Sequence, residues 1–137
     1  MQYLIGIVLA LVVFLFARLV RLDRDRAFYP TVLIVVASYY GLFAIVGGSL
    51  VTLALESIAI VGFIALSVAG FKFSLWLVAA ALFAHGIYDF FHGHLIANTG
   101  MPAWWPGFCM AYDVTASVCL AWLLRPAKTA ATENQSL

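Results

Sequence analysis

Charged side chains are scarce in this sequence. They make up 9% of its 137 residues, while 66% of the residues are hydrophobic. Soluble domains carry roughly a quarter charged and 45–50% apolar residues. The sequence also contains no long polar block from which a separate soluble domain would be built. This composition excludes an ordinary soluble protein and indicates an integral membrane protein of the all-α class.

Cysteine is also scarce, and the net charge is small. The two cysteines, Cys109 and Cys119, belong to one predicted helix. Their spacing separates them by about 15 Å along the helix axis, which is too far for a disulfide bond. The formal net charge is +1, and the basic residues mark membrane topology rather than a nucleic-acid surface. We therefore expect no nucleic-acid partner.

Apolar runs predict a bundle of five transmembrane helices. Residues 31–71 form one run that is too long for a single crossing of a core of about 30 Å. The turn signal Gly47-Gly48-Ser49 divides this run into two helices. The predicted helices cover about 2–20, 31–46, 50–69, 74–96 and 107–124, in a single transmembrane domain, 1–125, followed by a short disordered tail, 126–137.

All basic residues fall on one side of this five-helix arrangement. Lysine and arginine favour the cytoplasmic side of a membrane protein, so we expect the amino terminus outside and the carboxyl terminus in the cytoplasm. The predicted location is the cell membrane, as a multi-pass protein of a bacterial inner membrane. The basic residues are Arg18, Arg21, Arg24, Arg26, Lys72, Arg125 and Lys128.

All three histidines lie in the predicted fourth helix. His85, Asp89 and His92 occupy positions i, i+4 and i+7, so they share one helix face within an arc of roughly 60°. His94 is about 200° around the helix from His92, and we expect it at the membrane interface.

Three acidic residues lie inside predicted helices: Glu56, Asp89 and Asp113, each on a different helix. Each is about 10 Å from the outer end of its helix, so we expect the three carboxylates at one level in the outer half of the bilayer. A charged residue at a helix centre costs roughly 2.5–3.5 kcal/mol on insertion scales, and no lysine or arginine is expected at this depth. The carboxylates must therefore be protonated, hydrogen-bonded to histidine or tyrosine, or bound to a cation.

These residue types predict a site for a divalent transition metal ion. Asp89 and His92 form an acid-x-x-His pair, which helical-bundle metal sites combine with single acids from other helices. Carboxylate and imidazole ligands suit Zn, Fe or Mn better than copper. The predicted metal ligands are Glu56, Asp89, His92 and Asp113, with His85 as the catalytic residue, acting as a proton carrier or as a further ligand.

The last two predicted helices carry a resemblance. The pattern His85-x-x-x-Asp89-x-x-His92, the connector from Pro102 to Pro106, and the segment from Cys109 to Asp113 resemble small bacterial and fungal polytopic membrane proteins grouped as a family of unknown function. The resemblance implies a multi-helix membrane fold and carries over no activity.

Three classes of function are open at this point. The first is a metal site that opens to the extracytoplasmic side, as in a metal-dependent enzyme acting on a lipid-like substrate. The second is a proton or cation relay, although the inner half of the bundle has almost no ionisable residue to complete a path. The third is a non-catalytic scaffold or accessory subunit whose polar cluster holds the helices together. Membrane lipid is an expected partner, and both a homo-oligomer and a ligand role for Cys109 are open alternatives.

Overall fold

The computed structural model of the chain describes residues 1–126, and this part of the chain is all-helical. Its helices are α1 (Gln2–Val20), α2 (Phe28–Val46), α3 (Leu50–Lys72), α4 (Leu75–Leu95) and α5 (Trp105–Leu124). A short 3₁₀ turn, Leu22–Arg24, lies between α1 and α2. Each of the five helices is long and apolar enough to cross a membrane, so the predicted helix number is confirmed. The predicted tail, apart from Pro126, lies outside the described residues.

Two helices begin earlier than the sequence predicts, because each accommodates a proline in its first turn. Pro30 is the third residue of α2, and Pro106 is the second residue of α5. The first amide groups of a helix have no acceptor within it, so a proline there sacrifices no hydrogen bond. The Ser67 hydroxyl of α3 donates to the Pro30 carbonyl oxygen over 2.6 Å, which fastens the start of α2 to α3.

The end of α3 also differs from the prediction. The helix continues through Gly70 to Lys72 instead of ending at Ala69. A Cβ at Gly70 would overlap the Val78 side chain of α4, so glycine allows the end of α3 to lie directly against α4. The next helix starts where the Ser74 side chain accepts a hydrogen bond from a backbone amide of its first turn.

The helices pack in a chain of neighbours. Helix α1 packs on α5, α5 on α4, α4 on α3, and α3 on α2. Leu33, Val78, Leu82 and Leu120 lie in the core between α2, α4 and α5. Most of α1 and α3 is left outside this core, and their apolar outer faces are exposed.

The connectors meet at the two ends of the bundle. The Arg26 guanidinium, between α1 and α2, donates to the Phe71 carbonyl oxygen near the end of α3. At the opposite end Gly47 lies against Gly100, which joins the turn between α2 and α3 to the connector between α4 and α5. This second connector closes the end of the bundle that contains the polar residues.

Candidate metal centre

Five ionisable side chains converge in the interior of the bundle, and each is at most 1% exposed. Three of them come from one face of α4, as the i, i+4, i+7 spacing predicts, and α3 and α5 contribute one acid each. The five residues are Glu56, His85, Asp89, His92 and Asp113. Because they are shielded from solvent, they must satisfy one another or hold a ligand.

The first set of contacts joins α4 to α5. His85 Nδ1 lies 2.6 Å from Asp113 Oδ2 and 3.5 Å from Asp89 Oδ2. The Cys109 thiol lies 3.8 Å from Asp113 Oδ2. One donor atom from each of these four residues falls within 4.8 Å of the others. We call His85, Asp89, Cys109 and Asp113 the Asp113 group.

The second set of contacts joins α3, α4 and the connector that follows α4. His92 Nε2 lies 2.8 Å from Glu56 Oε1, and the Asn98 amide donates to the same oxygen over 2.9 Å. The Tyr88 hydroxyl donates to Glu56 Oε2 over 3.2 Å. We call Glu56, Tyr88, His92 and Asn98 the Glu56 group. Its carboxylate has three side-chain partners, so it is well satisfied without any ligand.

Tyr40 of α2 contacts both groups. Its hydroxyl donates to Asp89 Oδ1 over 2.5 Å, and its ring stacks on His92 with 4.1 Å between the ring centroids. Its backbone carbonyl accepts a hydrogen bond from Asn98 over 3.1 Å. The tyrosine thus fixes one Asp113-group carboxylate and one Glu56-group imidazole in place.

The structure divides the predicted ligand set between these two groups. Asp89 and Asp113 lie together with His85, which the sequence assigned to catalysis, whereas Glu56 and His92 pair with each other. Helix α5 approaches α4 closely at Gly86, where an added Cβ would lie 3.3 Å from the Met110 carbonyl oxygen of α5. This approach brings Asp113 to His85 rather than to His92. The assignment of ligand and catalytic roles among these residues stays a prediction.

Three further residues complete the comparison with the sequence predictions. Cys109 lies in the Asp113 group, and His94 is exposed at the end of α4. Asn98 follows α4 in a connector rich in turn-forming residues, where the sequence predicts only a turn, yet in the structure it is buried and hydrogen-bonded to Glu56. For a polar residue just after a membrane-spanning helix, the sequence alone does not distinguish a turn former from a buried hydrogen-bond donor.

Several buried polar atoms of the Asp113 group have no hydrogen-bond partner within the described residues. They are His85 Nε2, Asp89 Oδ2 and Asp113 Oδ1. The Glu56 group also has two such atoms, His92 Nδ1 and Asn98 Oδ1, but neither is a carboxylate oxygen. Buried polar atoms normally have a partner, and exceptions call for an explanation such as an ion. Within residues 1–126, no lysine or arginine pairs with these carboxylates. The arrangement therefore fits a cation.

Counting charges separates the two groups further. Glu56 and His92 together are neutral when they share one proton, whichever of them holds it. Asp89 and Asp113 carry two negative charges when both are ionised, and a single proton shared with His85 balances only one of them. A divalent cation would balance these two carboxylates, so the Asp113 group has the better donor set for a metal ion.

Comparison of the chain with protein-family profiles, curated proteins and solved structures gave no match. The resemblance of the last two helices to small polytopic membrane proteins therefore stays a prediction, and the function has to be argued from the site itself.

Proposed function

We propose that this protein is a multi-pass protein of the cell membrane whose Asp113 group binds one divalent transition metal ion. The observation that carries the proposal is the pair of buried carboxylates, Asp89 and Asp113, each of which has an oxygen without a hydrogen-bond partner within residues 1–126 and lies beside His85. The Cys109 thiol lies beside them, and no lysine or arginine side chain pairs with these acids in the described part of the chain.

The donor types favour particular metals. Carboxylate and imidazole suit Zn, Fe and Mn, and zinc also accepts a cysteine ligand. His85, Asp89 and Asp113 would hold the ion, with Cys109 as the fourth donor. The positions of these side chains are supported from outside the group, since the Tyr40 hydroxyl hydrogen-bonds Asp89. Such support around ligands commonly tunes metal affinity.

The reaction class we propose is metal-dependent chemistry on a lipid-like substrate. When bound, a metal ion supplies Lewis-acid chemistry toward a carbonyl or phosphoryl oxygen. The residues of the chain contribute the dry surroundings, because every acid and imidazole of the site is at most 1% exposed. The Glu56 and His92 pair, in contact with Tyr40 but outside the Asp113 group, is able to hold a proton near the site.

A scaffold role is the second candidate, and the Glu56 group favours it. Its carboxylate accepts hydrogen bonds from α4 and from the connector after α4, which ties α3 to both. Interhelical hydrogen bonds of this kind hold membrane bundles together without any chemistry. The two candidate functions differ in one respect: a metal centre requires an ion bound at the Asp113 group, whereas a scaffold does not.

Metal content distinguishes them. Protein purified without chelator should contain about one equivalent of a transition metal by elemental mass spectrometry. Asp89→Asn and Asp113→Asn should each abolish this content, because each removes an anionic ligand. Both variants should still insert, since neutralising a buried acid makes insertion easier.

Glu56→Gln is the matched control. It neutralises an equally buried acid that lies outside the Asp113 group, so it should keep its metal. Metal loss in Glu56→Gln with retention in Asp113→Asn would contradict the ligand assignment. An unmutated protein without metal would favour the scaffold.

A further inference from the structure

An apolar groove lies between α1 and α2, with α5 as its floor. Its volume is about 900 Å³, within the roughly 300–1,000 Å³ of small-molecule sites. Leu9 and Val13 of α1 form one wall, and Val35 of α2 belongs to the other. The groove exists because α1 packs on α5 while α2 packs on α3, which leaves the space between α1 and α2 unfilled.

The groove runs along the helix axes. Its α1 wall extends from Met1 to Val13, which corresponds to about 18 Å at the helical rise per residue. One leaflet contributes half of a hydrocarbon core of about 30 Å, or roughly 15 Å. A single lipid chain lying parallel to the helices therefore has the length of this groove. Gln2 and Trp104 line the end at the amino terminus of α1, and such side chains suit the headgroup region.

The floor of the groove shares one residue, Cys109, with the Asp113 group. Cys109 lines the groove, and its sulfur lies 3.8 Å from Asp113 Oδ2. Cys109 is only 1% exposed, and its small side chain lies between the groove and the buried acids. A molecule lying in the groove would thus pass directly beside the proposed metal centre.

We propose that this groove binds one acyl chain of a membrane phospholipid, which enters sideways from the bilayer. The acyl chain binds in the groove whether or not a metal ion is bound at the Asp113 group. The further statement, that the substrate of the proposed metal centre is a long-chain lipid held in this groove, rests on the proposed function.

Native mass spectrometry tests the groove directly. The full chain is purified in mild detergent with added dioleoylphosphatidylglycerol, and the lipids that remain bound are counted. The unmutated protein should retain one lipid per chain. Leu9→Trp should lose it, because the larger indole projects into the groove and blocks the path of the acyl chain.

Leu11→Trp is the matched control on the same helix. Leu9 and Leu11 are 42% and 43% exposed, but they point about 200° apart around the helix, and only Leu9 is among the groove-lining residues. Leu11→Trp should therefore keep the lipid. Val35→Trp, on the opposite wall, should lose it as well, which decides the question if Leu9→Trp fails to fold by circular dichroism.

Four results would overturn the groove assignment. One is an unmutated protein that retains no lipid; another is a lipid that survives in both groove variants. A third is its loss from Leu11→Trp as well. The fourth is a dimer mass without lipid, which would place a second copy in the groove.

The metal content of the same samples distinguishes the two proposals, since Leu9→Trp leaves the Asp113 group intact. Loss of lipid from Leu9→Trp with unchanged metal content supports the groove assignment independently of the metal centre. Retention of lipid by an unmutated protein that contains no metal contradicts the proposed function and leaves the groove assignment standing.

Discussion

At the scale of single residues, Tyr39 and Tyr40 have different roles that the sequence does not predict. Both are tyrosines of one predicted apolar helix, and the sequence predicts packing or a membrane-interface position for each, with a hydrogen bond to the polar cluster as an alternative for Tyr39 but not for Tyr40. In the structure Tyr40 is 1% exposed and Tyr39 is 37% exposed. Only the Tyr40 hydroxyl donates to Asp89, while the Tyr39 ring packs against Trp105. Helix rotation decides between these roles, and hydropathy in an almost uniformly apolar helix does not define that rotation.

The Tyr40 hydroxyl should contribute measurably to stability. Tyr40→Phe leaves a buried Asp89 oxygen without its donor, and an unsatisfied buried group costs about 1–3 kcal/mol. Tyr39→Phe keeps the stacked ring and should change stability by less than about 0.5 kcal/mol, as for most surface substitutions. Unfolding by dodecyl sulfate in mixed micelles, followed by circular dichroism, gives both values. Equal losses for the two variants would show that the Tyr40 hydrogen bond adds nothing.

The membership of the polar cluster could be predicted from sequence, but its division could not. Ionisable residues inside apolar runs have to face one another, and this argument found Glu56, Asp89 and Asp113 together with the histidines. Which histidine meets which acid depends on where α5 crosses α4, and the contact at Gly86 sets that crossing. Spacing along one helix contains no information on the rotation and height of another helix.

At the scale of the helices, small residues determine which helices meet. Gly6 is buried where α1 packs on α5, and a Cβ there would overlap the Phe108 carbonyl oxygen and lie 3.0 Å from the Tyr112 amide nitrogen. Close backbone approach at small residues is how helices associate in lipid. The helix number followed from hydropathy and length, but the pairing of α1 with α5 did not, because glycine and alanine occur throughout this sequence.

A methyl group at Gly6 should therefore loosen α1. Gly6→Ala places its Cβ against rigid backbone of α5, and overpacking of this kind costs about 1–3 kcal/mol. Gly62→Ala is the matched control, since a Cβ there meets nothing within 4 Å. This control should be neutral or more stable by up to about 1 kcal/mol, because alanine is the better helix former.

The same detergent unfolding assay compares the two glycine variants. Gly6→Ala should also expose the amino-terminal part of α1 to limited proteolysis earlier than the unmutated protein does. A Gly6→Ala protein as stable as Gly62→Ala would contradict the close α1–α5 contact.

At the scale of the whole molecule, the distribution of basic residues indicates the orientation. Arg18, Arg21 and Arg24 lie at the end of α1 or directly after it, and Lys72 ends α3. The contact between Arg26 and the Phe71 carbonyl oxygen brings these two regions to one end of the bundle. The polar cluster lies toward the other end, under the connector that contains Asn98. Because positive residues favour the cytoplasmic side, we predict that the proposed metal centre lies toward the extracytoplasmic side.

Reporter fusions test this orientation. A reporter that is active only in the cytoplasm should be inactive when fused after Gly48 and active when fused after Arg125, because α3, α4 and α5 lie between these points. A reporter active only outside should give the reverse pattern, which serves as the control for expression. If both fusions report one side, then one of these three helices does not cross the membrane. Since Glu56, Asp89 and Asp113 lie one on each of them, the acids would then not share a depth in the bilayer, and the metal centre would lose the dry surroundings on which its proposed chemistry depends.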